Sequence, residues 1–146
     1  IKRLWLPIVL SQFVGCLVGI VSVVFVAQLC GAPDIIVLSM ASKSVTTPIA
    51  MEVTQSLGGI PSLTAAVVVV TGIIGALVGF KMLSYGHVNS PIAQGLSMGA
   101  ASHAVGASTA MAYSSKYGAF ASLGITLNGI FTALLTPTVL RLMGII

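Results

Sequence analysis

An all-α integral membrane fold is what this sequence predicts, with about five transmembrane segments of which two are broken or re-entrant. Three observations carry that reading. Mean hydropathy is +1.13 and 57% of residues are hydrophobic. Only 8 of 146 residues are formally charged, where a soluble domain carries about a quarter. The apolar residues gather in runs close to the roughly 20 residues that a spanning helix needs. Residues 1–146 read as a single membrane domain.

The net charge of +4 comes from basic residues scattered singly, apart from Lys2-Arg3. Such a pattern gives interface anchors and not a nucleic-acid patch. Cys16 and Cys30 are 14 residues apart, roughly 21 Å along one helix. A disulfide tolerates about 7 Å between α-carbons. The acidic residues are Asp34 and Glu52, and His87 and His103 are far apart in sequence. Nothing here implies a metal or another cofactor, and no signal-peptide layout is present.

The elements follow in order. Residues 4–30 carry no charge and form the first span, with Lys2-Arg3 and Trp5 as anchors. Gly31-Ala32-Pro33-Asp34 is a turn. Residues 35–57 are a second hydrophobic stretch, interrupted by the polar run Ser42-Lys43-Ser44-Val45-Thr46-Thr47-Pro48. Gly58-Gly59-Ile60-Pro61 turns the chain again. Residues 62–80 are a third span, rich in Val and Ile and closed by Lys81. A polar loop over 84–91 precedes the fourth stretch, 92–113, which is built of small and polar residues. Lys116-Tyr117-Gly118 is a turn, and 119–140 is the last span, ending at Arg141.

Orientation depends on the second stretch. If it crosses fully, Lys2-Arg3 and Lys116 share the cytoplasmic side; if it is re-entrant, the later spans flip. A faint repeat links Thr71-Gly72-Ile73-Ile74-Gly75-Ala76-Leu77 to Asn128-Gly129-Ile130-Phe131-Thr132-Ala133-Leu134, each after a broken segment. Paired interrupted segments in corresponding places are the sequence pointer to an inverted-repeat transporter site.

Lys43 is the residue that most needs explaining. A helix starting near Asp34 places it about nine residues in, roughly 13 Å deep. That is close to the midplane of a core about 30 Å thick, where a charge is costly. Snorkelling covers only part of that distance. Asp34 and Glu52 are each nine residues away, on the opposite face of a continuous helix. A break is therefore needed, and Pro48 supplies one by removing an N–H and clashing with the preceding turn. The hydroxyls of Ser42, Ser44, Thr46 and Thr47 offer partners for the freed backbone. Such backbone is tolerated only where protein covers it or it lines a cavity.

In the fourth stretch Ser90 caps a helix that opens at Pro91. Gly95, Gly99, Ser102 and Gly106 form a small-residue seam for close backbone approach. His103 lies about 18 Å along from Pro91 if the segment is helical. It is either a proton carrier or anion ligand, or a neutral core histidine bonded to a carbonyl. Unwinding between Gly99 and Gly106 would expose N–H groups that favour an anion. Asn128 reads as a hydrogen-bonding residue between helices.

At these segments the chain resembles the LrgB family, the CidB/LrgB antiholin-like membrane proteins. The resembling residues are Ser42-Lys43-Ser44-Val45-Thr46-Thr47-Pro48-Ile49-Ala50-Met51-Glu52 with Gly58-Gly59-Ile60-Pro61, then Pro91-Ile92-Ala93-Gln94-Gly95 and Ala101-Ser102-His103-Ala104-Val105-Gly106. Gly118-Ala119-Phe120 and the span around Gly129 fit as well. The resemblance implies a bacterial inner-membrane, multi-pass protein, of which this chain is the C-terminal part. It implies two different jobs. One is antiholin-like control of murein hydrolase export and lysis beside a holin-like LrgA/CidA-type partner. The other, implied by further relatives including a plastid branch, is movement of small carboxylates such as glycolate, glycerate or pyruvate.

The residues favour transport of a small organic anion. Lys43, Ser44, Thr46, Thr47, Ser102 and His103 are the expected substrate ligands. His103 and Glu52 are the proton-coupling candidates, and Pro48, Gly99 and Gly106 the helix-break residues. The competing scaffold reading gives the glycine seam to a partner subunit. An intramembrane hydrolase lacks a nucleophile–base–orienter set, so an enzyme is not expected. Five spans are few to enclose a site, so a homo-oligomer in the lipid bilayer is expected.

Overall fold

The computed structural model describes residues 4–146 as six α-helices. They are α1 (Trp5–Leu29), α2 (Asp34–Met40), α3 (Thr47–Ser56), α4 (Pro61–Tyr85), α5 (Pro91–Tyr113) and α6 (Ser115–Leu142). The expected Lys2-Arg3 anchor lies outside the described residues; Trp5 is exposed at the start of α1. Among the described residues, α1, α4 and α6 are long and apolar enough to cross a membrane. The 25 residues of α1 or α4 extend about 37 Å, more than a hydrocarbon core of about 30 Å.

Local chemistry sets the ends. Gly31, at φ +73°, closes α1, and Ala32 N–H returns to the Ala27 carbonyl at 3.0 Å, a left-handed glycine cap. Pro33 then stops any continuation. Gly58, at φ +78°, ends α3 in the same way. Pro48, Pro61 and Pro91 stand in the first two positions of α3, α4 and α5, where a missing N–H costs nothing. Ser90 occupies the cap position before α5 but makes no side-chain capping bond.

The count of five crossings gives way at the second and fourth stretches, because both double back. In the first, α2 and α3 are joined by residues 41–46, which are not helical. Ser42 Oγ donates to the Ala50 carbonyl at 3.1 Å and lies 3.2 Å from Thr54 Oγ1. On a straight helix, residues 42 and 54 would be about 18 Å apart. Farther from the tip, Ile60 N–H donates to Ser39 Oγ at 2.8 Å, and Thr64 Oγ1 donates to the Ser39 carbonyl at 2.8 Å. Thr64 Oγ1 is also 2.9 Å from Thr54 Oγ1. These four fully buried hydroxyl residues (Ser39, Ser42, Thr54 and Thr64) clamp the hairpin onto α4.

The second reversal occurs within α5, at His103, whose φ of 42° and ψ of −134° are not helical. A Cβ placed on Gly106 would meet the Met98 carbonyl and fall 2.6 Å from Ser102 Cβ. Residues 98 and 106 of a continuous helix would be about 12 Å apart. The first arm, residues 91–102, therefore reverses into a second, 104–113. The expected small-residue seam is present, but it is filled from within the chain. A Cβ on Gly95 would lie 2.6 Å from the Tyr117 carbonyl oxygen, and Gly99 abuts the backbone of Ala121. On the other side, Ser102 packs on Gly75 and Met98 on Gly79 of α4.

Each hairpin is followed by a long helix, and the spacing repeats. α2 begins at Asp34 and α5 at Pro91, 57 residues later; α4 ends at Tyr85 and α6 at Leu142, again 57 later. Thr71 and Asn128, which open the two similar sequence runs, are separated by the same 57 residues.

Candidate functional site

The two hairpin tips arrive at the same level of the bundle. Asn128, the fourteenth of the 28 residues of α6, donates from Nδ2 to the Ser44 carbonyl at 2.7 Å and to the Ala100 carbonyl at 2.9 Å. Both partners are carbonyls, so only the amide nitrogen can face them. One side chain thus joins the tip of the first hairpin to the first arm of the second. α4 supplies a further meeting point at Val68. Val45 packs with Val68 and Ala50, while His103 Nε2 donates to the Val68 carbonyl at 2.9 Å. Gly72 makes that approach feasible, since a Cβ there would sit 2.5 Å from His103 Cε1.

Beside this junction lies a cavity of about 660 Å³, bounded by α1, the first tip, the first arm of α5 and α6. Lys43, Ser44, Asn128 and Thr132 line it, and it extends to Leu4 before α1, Pro7 of α1 and Ser90 before α5. Ile8, Ile20 and Leu96 give it apolar walls, and Gln12 and Ser97 are further polar side chains in the lining. Lys43 Nζ lies 3.5 Å from Ser44 Oγ. Among the described residues no charged group stands against it, so its N–H groups are available to the cavity. A largely apolar pocket with a few convergent polar groups is the usual form of a small-molecule site.

The LrgB-like family model matches residues 1–142. This chain belongs to the LrgB-like family. It is 37% identical to an uncharacterized protein of Haemophilus influenzae over 97% of its own length and 62% of that protein's. It is 33% identical to YxaC of Bacillus subtilis, over 95% of the chain and 60% of YxaC. To the antiholin-like protein LrgB of Bacillus mycoides it is 31% identical, over 99% of the chain and 63% of that relative. The LrgB-like chain therefore spans less than two thirds of the length of these relatives. No solved structure matches it.

The residues singled out from sequence are distributed unequally in this LrgB-like fold. Lys43 and Ser44 line the cavity. Thr46 and Thr47 start α3, half-buried, away from the lining. Ser102 and His103 are buried against α4, so the cavity does not join His103 to Lys43; Asn128 links their segments instead. Glu52 is exposed on α3. The chain reverses at 41–46 and at His103, with Pro48 just inside α3 and Gly99 and Gly106 in the two arms of α5. Gln12 and Thr132 were not singled out. Gln12 is an amide in a span without charges, and its cost in that setting was the available signal.

Proposed function

We propose that this LrgB-like chain carries the substrate site of a transporter for small organic anions of the pyruvate and glycolate type. The observation that carries the reading is the meeting of two hairpin tips on Asn128, beside a cavity whose one cationic side chain among the described residues is Lys43. The chain order gives the two units opposite sense. The first hairpin enters from the end where α1 finishes, α4 crosses, and the second enters from the other end. Together with the 57-residue spacing, that supports an inverted repeat with its site at the midplane. Lys43 would offset the carboxylate charge, and half-buried backbone at the tips supplies neutral donors.

The same layout supports an orientation. α1 and α6 run side by side in the same sense, since Cys16 meets Thr132 at 3.3 Å while Val24 and Ala27 share a cluster with Val139 and Leu140. The start of α1 therefore shares an end with Lys81 and Lys116, and Lys2-Arg3 precede α1 in sequence. Arg141 stands at the opposite end. Basic residues mark the cytoplasmic side, so the cavity opens toward the cytoplasm. His103 remains the proposed coupling residue, because it is buried at a tip, while Glu52 is exposed.

The antiholin-like name of several relatives favours a second reading, in which the protein controls lysis with a holin-like subunit. Its structural element would have been the glycine seam, which α6 and α4 already occupy. Uptake of labelled pyruvate or glycolate into proteoliposomes tests the first reading. Normal uptake by Lys43→Ala would remove the site assignment; no uptake by the native protein, with intact lysis control in cells, would favour the second.

A further inference from the structure

Gln12 stands out as a polar side chain without work to do. It is 6% exposed, it lines the cavity, and its Oε1 is fully buried without a hydrogen-bond partner. A buried amide left unpaired is costly, and native proteins rarely retain one without a reason. Its place in the cavity can be read from helix register. Gln12 is one turn before Cys16 on α1, and Asn128 is one turn before Thr132 on α6. Cys16 and Thr132 touch at 3.3 Å and the helices run in the same sense. Residues four apart share a helix face, so Gln12 and Asn128 stand at the same level of the same wall. Asn128 in turn holds the Ser44 carbonyl at 2.7 Å, the peptide next to Lys43.

Resting on the transport reading above, we infer that Gln12 is the specificity residue of this site and contacts the oxygen on the carbon next to the ligand's carboxylate. Lys43 takes the carboxylate. The Gln12 amide takes the second oxygen: its Nε2 donates to a carbonyl, and turning the amide over brings the buried Oε1 to the cavity to accept from a hydroxyl. The site then binds 2-hydroxy and 2-oxo acids and discriminates against plain alkanoates, which leave the amide unpaired. Ser97 and Thr132 complete the polar lining.

The test compares the purified native protein with Gln12→Met, which keeps the side-chain length and removes the amide. Competing uptake of glycolate, pyruvate and propionate into proteoliposomes gives the selectivity, and thermal melting without ligand gives the stability. Loss of one hydrogen bond to a ligand lowers the preference for glycolate and pyruvate over propionate by about tenfold, through KM, with propionate uptake retained. The melting temperature without ligand stays the same or rises, since an unpaired amide has been replaced by an apolar group. Unchanged selectivity overturns the assignment of Gln12 while leaving the transport reading standing. A lowered melting temperature with unchanged selectivity overturns it too, as the mark of an amide that serves the fold. No uptake of any acid by the native protein overturns both readings.

Discussion

Replacing Asn128 by Ala tests whether the two tips are tied together. The substitution removes the donors to Ser44 O at 2.7 Å and Ala100 O at 2.9 Å. Hydrogen bonds between membrane helices average about 0.6 kcal/mol each, so the bonds themselves account for about 1.2 kcal/mol. Stranded carbonyls in a dry core would add about 1–3 kcal/mol apiece. Ser44 and Ala100 both line the cavity, however, so water can reach their backbone and most of that penalty is avoided. The expected loss for Asn128→Ala is therefore about 1–2 kcal/mol, near the low end. Asn128→Asp should cost more, because it sets carboxylate oxygens against two carbonyls. Equilibrium unfolding in mixed micelles measures the loss, and hydrogen exchange at Val45 and Ala101 shows where it falls. Faster exchange at both tips together is expected. Unaltered stability and exchange in both variants would refute the tie.

Other outcomes follow from the same geometry. Gly99→Ala drives a Cβ into the Ala121 backbone and should prevent folding, while Gly15→Ala, with nothing within 4 Å, should be neutral or stabilising by up to about 1 kcal/mol; thermal melting ranks the two. His103→Gly and His103→Ala both lose the Val68 bond, but the positive φ of 42° makes the glycine variant the more stable by about 1–2 kcal/mol. On the proposed orientation, an impermeant thiol reagent in right-side-out vesicles should label Cys30, exposed just after α1, while buried Cys16 stays unlabelled. A cysteine at Lys116 should be labelled only after the vesicles are opened.

Much of the architecture was legible because membrane segments declare themselves by composition. Each long helix lies over an expected apolar run, and the polar run around Lys43 and the small residues around His103 mark the two places where helices fail. The angle at those failures was not legible. A Pro or a glycine run shows that an i→i−4 ladder is interrupted, but a kink and a full reversal leave the same local pattern. The partners that decide, Ser42 with Thr54 and Met98 with Gly106, are apparent only when the arms lie together. The break expected between Gly99 and Gly106 falls at His103, yet the direction of its side chain depends on Gly72 of another helix. Lys43 could be found from its cost alone. Gln12 could have been found by the same rule, but an uncharged amide is a weaker signal than a charge.

The re-entrant geometry also changes the charge pattern. With five crossings, Lys81 and Lys116 fall on opposite sides. With two reversals they share one side, opposed by Arg141, so a thin bias becomes a consistent one. The rule for basic residues then favours a single orientation for the proposed topology.

The most direct measurement is the melting temperature of the purified protein titrated with a small 2-hydroxy or 2-oxo acid, for the native sequence and for Lys43→Gln. A ligand at a hundred times its dissociation constant stabilises by about 2.7 kcal/mol. The native protein should show a rise that grows with the logarithm of ligand concentration and reaches about that size at a hundredfold excess, and Lys43→Gln should melt normally without ligand and show no rise at the same concentrations. An equal rise in both proteins would contradict the assignment of Lys43, and no rise in either would contradict the anion site itself.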